Sequence, residues 1–324
     1  MVKLLIDTDC GIDDAVALWW AATQPDVELV GITTVFGNVD LAAAADNARR
    51  VLELAGREST PIALGASEAF GPAPTLRRAD FIHGADGVAD TGRRPRRPVA
   101  GGGPNAVELL HGAVHAAPGE VTVVTIGPMA NVAEAIAADA SWAPAVRRLV
   151  VMGGTIECQG NALPMAEANI AHDPHAAATA LAAPWATPPL LVGLDVTQRA
   201  TITAELLALA HEGRSPAGAD LAELLSFYAR FGGTFCAAGE FPCHDALAVM
   251  AAARPGLVSG PVLPTAVQTG DGPALGMTVA DRRQPFFEAA GQHQALPEGF
   301  HPCEVGTAVD VDAFRAELRA LFGG

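Results

Sequence analysis

Residues 7–14 read DTDCGIDD, directly after the apolar run VKLLI at residues 2–6. Four of these eight residues carry carboxylates: Asp7, Asp9, Asp13 and Asp14. Two carboxylates about 4 Å apart repel by roughly 4 kcal/mol at an effective dielectric constant of about 20. The segment therefore indicates a site where protons, a cation or water relieves this repulsion.

The same segment predicts a strand that ends at the aspartates and a helix that begins on them. Asp7 and Asp9 stand two residues apart on the strand, so their side chains leave it on the same face. Asp13 and Asp14 fall in the first turn of the helix, where one of them could simply cap it. Ligands of open α/β sheets bind at the carboxyl ends of the strands. Helix capping explains one aspartate but not four, so we expect a cation site. Because all the donors are oxygens, the expected ion is a hard cation, Ca²⁺ or Mg²⁺, and not zinc.

Short, nearly continuous apolar runs alternate with helical patterns over the first 200 residues. Such runs are typical of strands buried on both faces, and their alternation with helices predicts right-handed βαβ crossovers. The predicted fold class is α/β, with a mostly parallel, doubly wound sheet flanked by helices. Additional helices and a small strand region follow toward the C-terminus. No linker interrupts residues 1–324, which we expect to form a single domain. The predicted strands lie at residues 3–8, 28–35, 61–65, 121–126, 147–154 and 189–196.

Composition narrows the possible functions. The formal net charge of −16 argues against nucleic acid or anionic membranes as partners, because both require a basic surface. Five cysteines without CxxC spacing favour a reducing compartment, and no secretory or membrane-spanning pattern occurs, so a cytoplasmic location is expected. Lys3 is the only lysine, which disfavours a phosphate loop or a phosphohydrolase that needs lysine. The arginine-rich residues 92–98 are expected to form a solvated, mobile loop.

The stretch DTDCGIDDAVAL, residues 7–18, resembles the signature DTDPGxDDA of the nucleoside hydrolases, which split the N-glycosidic bond of nucleosides. Further motifs follow in the family's order and extend the resemblance over essentially the whole chain. Each motif is weak alone, but the ordered set is specific. These motifs are TVFGN (34–38), HGADG (83–87), TIGPMANVAEA (125–135), VVMGG (150–154), AEANIAHDPHAA (166–177), HDALAV (244–249) and GMTVADRR (276–283).

The resemblance implies a Ca²⁺-dependent ribohydrolase that releases a free base and ribose. Ca²⁺ accepts about six to eight oxygens in a flexible shell, including carboxylates and carbonyls. Asp9 would also act as the general base on the attacking water, and Asp7 would orient its neighbours. The transition state would resemble an oxocarbenium ion, which nearby carboxylates stabilise. The implied metal ligands are Asp9, Asp14, the Thr125 backbone carbonyl and Asp245.

The resemblance also implies residues that face the sugar and the base. Asparagine donates and accepts hydrogen bonds, and an ionised glutamate accepts from two hydroxyls, so both types suit a polyol. His244 would protonate the leaving base, because histidine titrates near neutrality. Tyr228 is equally consistent with a leaving-group contact and with core packing, and we do not include it in the catalytic set. The implied substrate-binding residues are Asp13, Asn38, His83, Met152, Asn161, Glu167 and Asn169.

Two positions depart from the family pattern. Cys10 stands where the family has proline, so a backbone N–H returns and φ is no longer fixed. Ala168 stands where relatives commonly have phenylalanine, which removes an apolar wall from the sugar site. Neither change removes a ligand, but a nucleoside- or ribose-binding protein with impaired catalysis remains an alternative function.

Base preference and assembly are predicted from fewer features. The retained His244 favours a pyrimidine or broad specificity over a strictly purine-specific enzyme that relies on aromatic stacking. One tyrosine and four tryptophans leave few candidates for such a stack. Relatives are commonly dimers or tetramers, so the resemblance implies a homodimer or homotetramer.

Overall fold

The computed structural model describes residues 1–99, 101–213, 216–231, 239–291 and 298–323. Its two longest strands, Val2–Thr8 and Val27–Thr34, lie in apolar runs of the sequence. The strands are β1 (Val2–Thr8), β2 (Val27–Thr34), β3 (Ile62–Leu64), β4 (Val121–Thr125), β5 (Arg148–Met152), β6 (Leu190–Val192), β7 (Thr201–Ile202), β8 (Phe241–Pro242), β9 (Val258–Ser259), β10 (Val262–Val267), β11 (Thr278–Ala280), β12 (His301–Val305) and β13 (Ala308–Val309).

The central sheet of the described residues has the strand order β11-β10-β12-β6-β5-β4-β1-β2-β3. β1 pairs in parallel with β2 on one side and with β4 on the other, and parallel pairing extends from β3 to β12. β10 and β11 complete one edge in antiparallel orientation. Because β1 is internal, Leu4, Leu5 and Ile6 are all fully buried, and the run lacks the alternation of a half-exposed strand.

Helices cover both faces of the sheet, as right-handed crossovers require. They are α1 (Ile12–Thr23), α2 (Leu41–Leu54), α3 (Asp80–His83), α4 (Ala106–Ala116), α5 (Ala130–Ala138), α6 (Trp142–Ala145), α7 (Ala168–His172), α8 (Pro174–Ala182), α9 (Leu194–Thr197), α10 (Ala204–Glu212), α11 (Pro216–Tyr228), α12 (His244–Ala253), α13 (Gln284–Ala289) and α14 (Val311–Gly323), with a 3₁₀ turn at Ala229–Phe231. One apolar cluster joins Leu4 and Ile6 to α1 and α12, and another joins Leu5 to α4 and α5. Among the described helices, none has the length and apolar character needed to cross a membrane.

The α/β fold class predicted from the sequence is confirmed, and the six predicted strands correspond to β1–β6. The small strand region predicted toward the C-terminus is also present, and its strands β10, β11 and β12 join the main sheet. The pairing partner of β12 is β6, which lies far away in the chain, so no local pattern could indicate this connection.

Residues 92–98 form the expected loop, and most of them are exposed. Arg93 forms ion pairs with Asp220 and Glu223 of α11. Arg50 of α2 contacts the same Asp220 carboxylate at 2.5 Å. These contacts tie the segment that follows α3 to two helices.

Candidate active site

The predicted aspartates lie at the carboxyl end of the sheet, where neighbouring parallel strands stop. Asp7 of β1 is in register with Thr33 of β2 and with Thr125 of β4. Asp9 follows the end of β1, and Met152 ends β5, the strand beyond β4. The parallel topology therefore gathers residues from four strands at one edge of the sheet.

Polar groups within the turn between β1 and α1 hold it in place. Cys10 has a φ of +40°, in the left-handed region that residues with a Cβ rarely adopt. Its N–H donates to Thr8 Oγ1 at 3.0 Å, and the Thr8 hydroxyl donates to Asp14. The Gly11 N–H donates to Asp14 Oδ2 at 2.8 Å, so Asp14 caps α1. The backbone N–H of Cys10, which a proline would lack, therefore forms a hydrogen bond within this turn.

Three carboxylates come together beside this turn. Asp13, Asp14 and Asp245 place oxygens within 4.8 Å of one another, and all three residues are buried. Asp245 reaches the group from the first turn of α12 and shares a hydrogen bond with Asp14. Burial, and then repulsion by the neighbouring carboxylates, raises the pKa of Asp14 to about 6 and the pKa of Asp245 well above its usual range. We call Asp13, Asp14 and Asp245 the acidic cluster, which favours protons or a cation.

Asp9 lies at the edge of the acidic cluster. Its Oδ2 accepts the Asn38 N–H at 2.7 Å, and its Oδ1 accepts Asn38 Nδ2 at 3.0 Å. Gly37 permits this close approach, because a Cβ added there would lie 2.0 Å from Asp9 Oδ2. Burial and the charge of Asp14 raise the pKa of Asp9 well above its ordinary value. The Asp9 carboxylate is thus fixed by two N–H donors and remains a strong proton acceptor.

Asp7 is fully buried in the sheet, where its Oδ1 accepts from Thr33 Oγ1 at 2.6 Å and from Asn131 Nδ2 at 2.7 Å. Burial raises the pKa of Asp7 to about 7. Within the described residues, Asp7 Oδ2 and Thr125 Oγ1 are buried without a hydrogen-bond partner. Buried oxygens of this kind normally bind water or an ion, so the sheet edge has spare acceptor capacity.

The donors at this edge fit a hard divalent cation. They are buried carboxylate and hydroxyl oxygens, which Ca²⁺ and Mg²⁺ prefer. In the part of the chain that the structure describes, the ion pairs with lysine, arginine or histidine leave Asp9 and the acidic cluster uncompensated. A cation would relieve the repulsion that, after burial, raises the pKa values of Asp9, Asp14 and Asp245.

A second polar wall stands where β5 ends. Glu167 caps α7 by accepting the N–H groups of Asn169 at 3.0 Å and Ile170 at 3.1 Å, and it also accepts the Gly154 N–H. Burial raises the pKa of Glu167 to about 7. Asn169 Nδ2 donates to the Met152 carbonyl at 3.1 Å. Asn161 lies on the exposed loop before α7, where its Oδ1 accepts the Ala168 N–H at 2.9 Å. Glu167 and Asn169 are therefore rigid and buried, whereas Asn161 lies at the rim.

Aromatic rings form another side of the site. His83, at the end of α3, stacks on Tyr228 of α11, with ring centroids 5.6 Å apart and 27° between the planes. Tyr228 also packs edge-on against Phe241, shortly before α12. Burial lowers the pKa of His83 and of His244, and the nearby Asp13 carboxylate opposes this effect at both. Asp13 is thus the member of the acidic cluster whose charge acts on both histidines.

The two histidines differ in what their Nδ1 atoms contact. His83 Nδ1 accepts the Ile12 N–H at 3.1 Å, so this nitrogen carries no proton. His244 Nδ1 lies 2.7 Å from Thr197 Oγ1, and a hydroxyl can accept as well as donate. His83 is therefore held neutral, whereas His244 can carry protons on both nitrogens. Of the two, His244 is the residue suited to release a proton.

The structure brings most of the predicted site residues together, with some in different positions from those implied. Asp13, predicted to bind ribose, shares the acidic cluster with Asp14 and Asp245. Asp9, predicted as a metal ligand, lies beside that cluster against Asn38. The predicted residues at the sheet edge are Asp9, Asp13, Asp14, Asn38, Thr125, Met152, Glu167, Asn169 and Asp245, with His83 and His244 beside Asp13.

Sequence analysis missed three contacts. Tyr228 stacks on His83, Thr197 contacts His244, and Asn131 donates to Asp7. Asn131 lies inside the motif TIGPMANVAEA, which could have indicated it. Thr197 and Tyr228 lie in segments whose apolar pattern predicts a strand end and a helix, so nothing local distinguishes them.

Comparisons with known proteins agree with this geometry. Residues 4–316 match the sequence family described as inosine-uridine preferring nucleoside hydrolase. A protein named probable uridine nucleosidase 2 from Arabidopsis thaliana is 34% identical over 313 residues, covering 96% of this chain and 94% of that protein. The inosine-uridine preferring nucleoside hydrolase of Leishmania major is 32% identical over 285 residues, covering 87% of this chain and 88% of that protein.

Solved structures show the same fold. A plant nucleoside hydrolase superposes with a TM-score of 0.89 at 31% identity, covering 100% of this chain and 99% of that one. A purine-preferring ribonucleoside hydrolase from Gardnerella vaginalis gives a TM-score of 0.87 at 29% identity, covering 99% and 98% of the two chains. The family match, the relatives aligned over nearly their full length and the acidic sheet edge agree, and the chain therefore belongs to the nucleoside hydrolase family.

Proposed function

We propose that this protein hydrolyses the N-glycosidic bond of ribonucleosides, releasing the free base and ribose, with Ca²⁺ as its cofactor. The observation that carries the proposal is the position of Asp13, which belongs to the acidic cluster and also faces His83 and His244. Carboxylates for the sugar and a histidine for the base are the two kinds of group that this cleavage needs.

Asp9, Asp14, Asp245 and the Thr125 backbone carbonyl are the proposed ligands of the ion. When bound, the ion would supply Lewis-acid chemistry, lowering the pKa of a coordinated water. We add Asp13 to the proposed set, because its carboxylate lies within 4.8 Å of those of Asp14 and Asp245. Asp13 is thus available both to the ion and to a ribose hydroxyl.

Asp9 is the proposed general base. Its carboxylate accepts the two N–H groups of Asn38, which orient it without neutralising its charge. It would take a proton from the water that attacks the anomeric carbon. The negative charge of Asp13 and Glu167 would stabilise the positive charge that develops on the sugar as the bond to the base breaks.

His244 is the proposed general acid for the leaving base. Its Nδ1 is held by Thr197, so Nε2 remains available to deliver a proton. His83 and Tyr228, stacked on each other, are proposed to contact the base through ring faces and edges. Asn38, Met152, Asn161, Glu167 and Asn169 are the proposed ribose contacts.

We propose a pyrimidine or broad base preference. The relative from Arabidopsis thaliana is named for uridine, and another is named for both inosine and uridine. Three of the four tryptophans, Trp19, Trp20 and Trp142, are buried in the core clusters, so a tryptophan stack on a purine has few candidates. A cytoplasmic location and a homodimeric or homotetrameric assembly remain predictions.

The experiment is a substrate and cation survey. The purified protein is incubated with uridine, cytidine, inosine and adenosine, and the release of reducing sugar is followed with Ca²⁺, with Mg²⁺ and after exhaustive chelation. We expect release from uridine at least as fast as from inosine, loss of activity on chelation and recovery with Ca²⁺. Tight binding of nucleosides without any release would instead support a binding protein, and release that survives chelation would exclude the metal.

A further inference from the structure

The short helix α9 connects the end of β6 to His244, the proposed general acid. It begins directly after Gly193, at the carboxyl end of β6, and its last residue, Thr197, is fully buried. The Thr197 N–H donates to the Gly193 carbonyl at 3.0 Å, which fixes the residue in the helical turn. Its Oγ1 lies 2.7 Å from His244 Nδ1, on the first residue of α12. A buried hydroxyl therefore contacts the proposed acid directly.

The chemistry of this contact sets the role of each ring nitrogen. A cationic imidazole donates from both nitrogens, so Nδ1–H would donate to Thr197 Oγ1 while Nε2–H points elsewhere. After Nε2 releases its proton to the leaving base, the neutral ring keeps Nδ1–H and the same hydrogen bond. The Nε2–H bond breaks and an N–H or O–H bond forms on the base, with no rearrangement at Thr197.

We propose that Thr197 is a positioning residue that holds His244 in the orientation and tautomer needed to protonate the leaving base. The inference rests on the proposed function, because it requires His244 to be the acid. Valine at position 197 would keep the volume of the side chain but could neither accept nor donate, so the buried His244 Nδ1 would lose its partner.

His83 shows why the partner matters. Its Nδ1 accepts a peptide N–H, from Ile12, and that donor cannot reverse its role. His83 could therefore become cationic only by breaking this bond, whereas His244 could do so with its contact to Thr197 intact. The difference between the two rings arises from the partner atom, which is a peptide N–H at His83 and a hydroxyl at His244.

The test uses two substrates that differ in their need for an acid. The leaving base of uridine must be protonated, whereas p-nitrophenyl β-D-ribofuranoside releases a stable phenolate without protonation. With the Ca²⁺-loaded protein, we expect Thr197→Val to lower kcat for uridine by about 10-fold or more. General acid catalysis itself contributes roughly 10²–10⁴-fold, so loss of positioning can account for this change. The kcat for the nitrophenyl riboside should change less than about 3-fold. KM should stay within about 3-fold for both substrates, and Thr197→Ser should restore kcat for uridine.

Matched controls separate positioning from packing. Thr122→Val makes the same change at another buried threonine, near the start of β4, and should leave both rates unchanged. His244→Ala should show the same selective loss as Thr197→Val, to a larger extent. The thermal transition shows whether Thr197→Val is folded. If it is not, Thr197→Ala, which also removes the hydroxyl, replaces it in the test.

The outcomes distinguish the two proposals. A wild-type protein that cleaves neither substrate overturns the proposed function. If the wild type cleaves both substrates and Thr197→Val loses equal activity on both, the positioning role is overturned and the proposed function stands. A His244→Ala variant with no selective loss overturns it as well, because Thr197 would then have no acid to position.

A spectroscopic measurement needs no turnover. Ring ¹⁵N shifts of the histidines should report the Nε2–H tautomer for His83 and the Nδ1–H tautomer for neutral His244 in the wild type. In Thr197→Val, the His244 signal should become a mixture of tautomers while that of His83 is unchanged. An Nε2–H tautomer at His244 in the wild type would contradict the proposed arrangement.

Discussion

The acidic side and the aromatic side of the site are built in different ways. On the acidic side, Asp9 and Asp14 each accept backbone N–H groups from turns that follow strands of the sheet. On the aromatic side, His83 and Tyr228 come from helices and are joined by ring stacking. His83 also accepts a backbone N–H, from Ile12, whereas Tyr228 is placed by ring packing against His83 and Phe241. Hydrogen bonds to the backbone therefore orient the carboxylates, and ring packing orients Tyr228.

This contrast predicts that substitutions on the two sides will differ in size and in kind. Changes on the acidic side should affect every substrate alike and alter cation binding. Changes on the aromatic side should depend on the base and leave cation binding unchanged. The following predictions test that contrast, in order of expected effect.

The largest effect is expected for Asp9→Ala. It removes the proposed base and one carboxylate of the ion site, so kcat for uridine should fall by at least about 10³-fold while the fold is kept. Steady-state release of reducing sugar and a thermal transition measure the two properties. Asp271→Ala, at an exposed carboxylate, is the control and should match the wild type. A rate for Asp9→Ala within 10-fold of the wild type would show that Asp9 is not the base.

Cation removal should make stability depend on pH in an unusual direction. Burial raises the pKa of Asp14 to about 6 and the pKa of Asp7 and of Glu167 to about 7, all above the unfolded values near 4. The folded state then binds more protons than the unfolded state, so stability falls as pH rises from about 4 to about 7. In a chelator, the melting temperature should drop over this range by several degrees.

Calcium should suppress this drop, because a bound cation stabilises the ionised carboxylates. The difference between melting temperatures with Ca²⁺ and with chelator should therefore widen as pH rises. Thermal scans at matched pH measure both curves. A difference that narrows toward pH 8 would contradict the assignment of Asp14 to a cation site.

Cys10→Pro, which restores the family's usual residue, should destabilise this chain. Proline is fixed near a φ of −65°, whereas Cys10 has +40° and uses its N–H to contact Thr8. We expect a loss of more than about 1 kcal/mol in the free energy of unfolding. Cys10→Ala keeps the N–H and removes the thiol, so it separates the two causes. A proline variant more stable than the alanine variant would show that the turn can adopt the family conformation without cost.

The smallest effects are expected on the aromatic side. Tyr228→Ala removes the ring stacked on His83 and should lower kcat/KM by about 10-fold, to different extents for uridine and inosine. Tyr228→Phe keeps the ring and should lose much less. Calcium affinity, measured by calorimetry, should be unchanged in both variants. Equal losses of kcat/KM on both nucleosides, together with weaker Ca²⁺ binding, would contradict the predicted difference between the two sides.

Much of the acidic side could be predicted from the sequence, because its residues lie close together in the chain. Asp9, Asp13 and Asp14 occupy one strand–turn–helix segment, whose geometry follows from the period of each element. The parallel strands were predictable for a similar reason, since strands buried on both faces appear as continuous apolar runs.

The aromatic side could not be predicted in the same way. The stacking of Tyr228 on His83 depends on how α11 packs over α3, and no local spacing encodes that packing. The contact of Thr197 with His244 depends on α9 meeting α12. The ion pair of Arg93 with Asp220 also joins distant segments, so the sequence did not indicate it although the exposed loop itself was predicted.

The central position of β1 in the sheet has a consequence for how the chain is made. The ribosome synthesises β1 first, yet its neighbour β4 begins only at Val121, and Asp245 follows much later. A nascent chain therefore exposes a strand that is buried in the folded protein, together with its crowded aspartates, well before the partners that cover them exist. A cation held by Asp14 and Asp245 could contribute to folding only after α12 has been made.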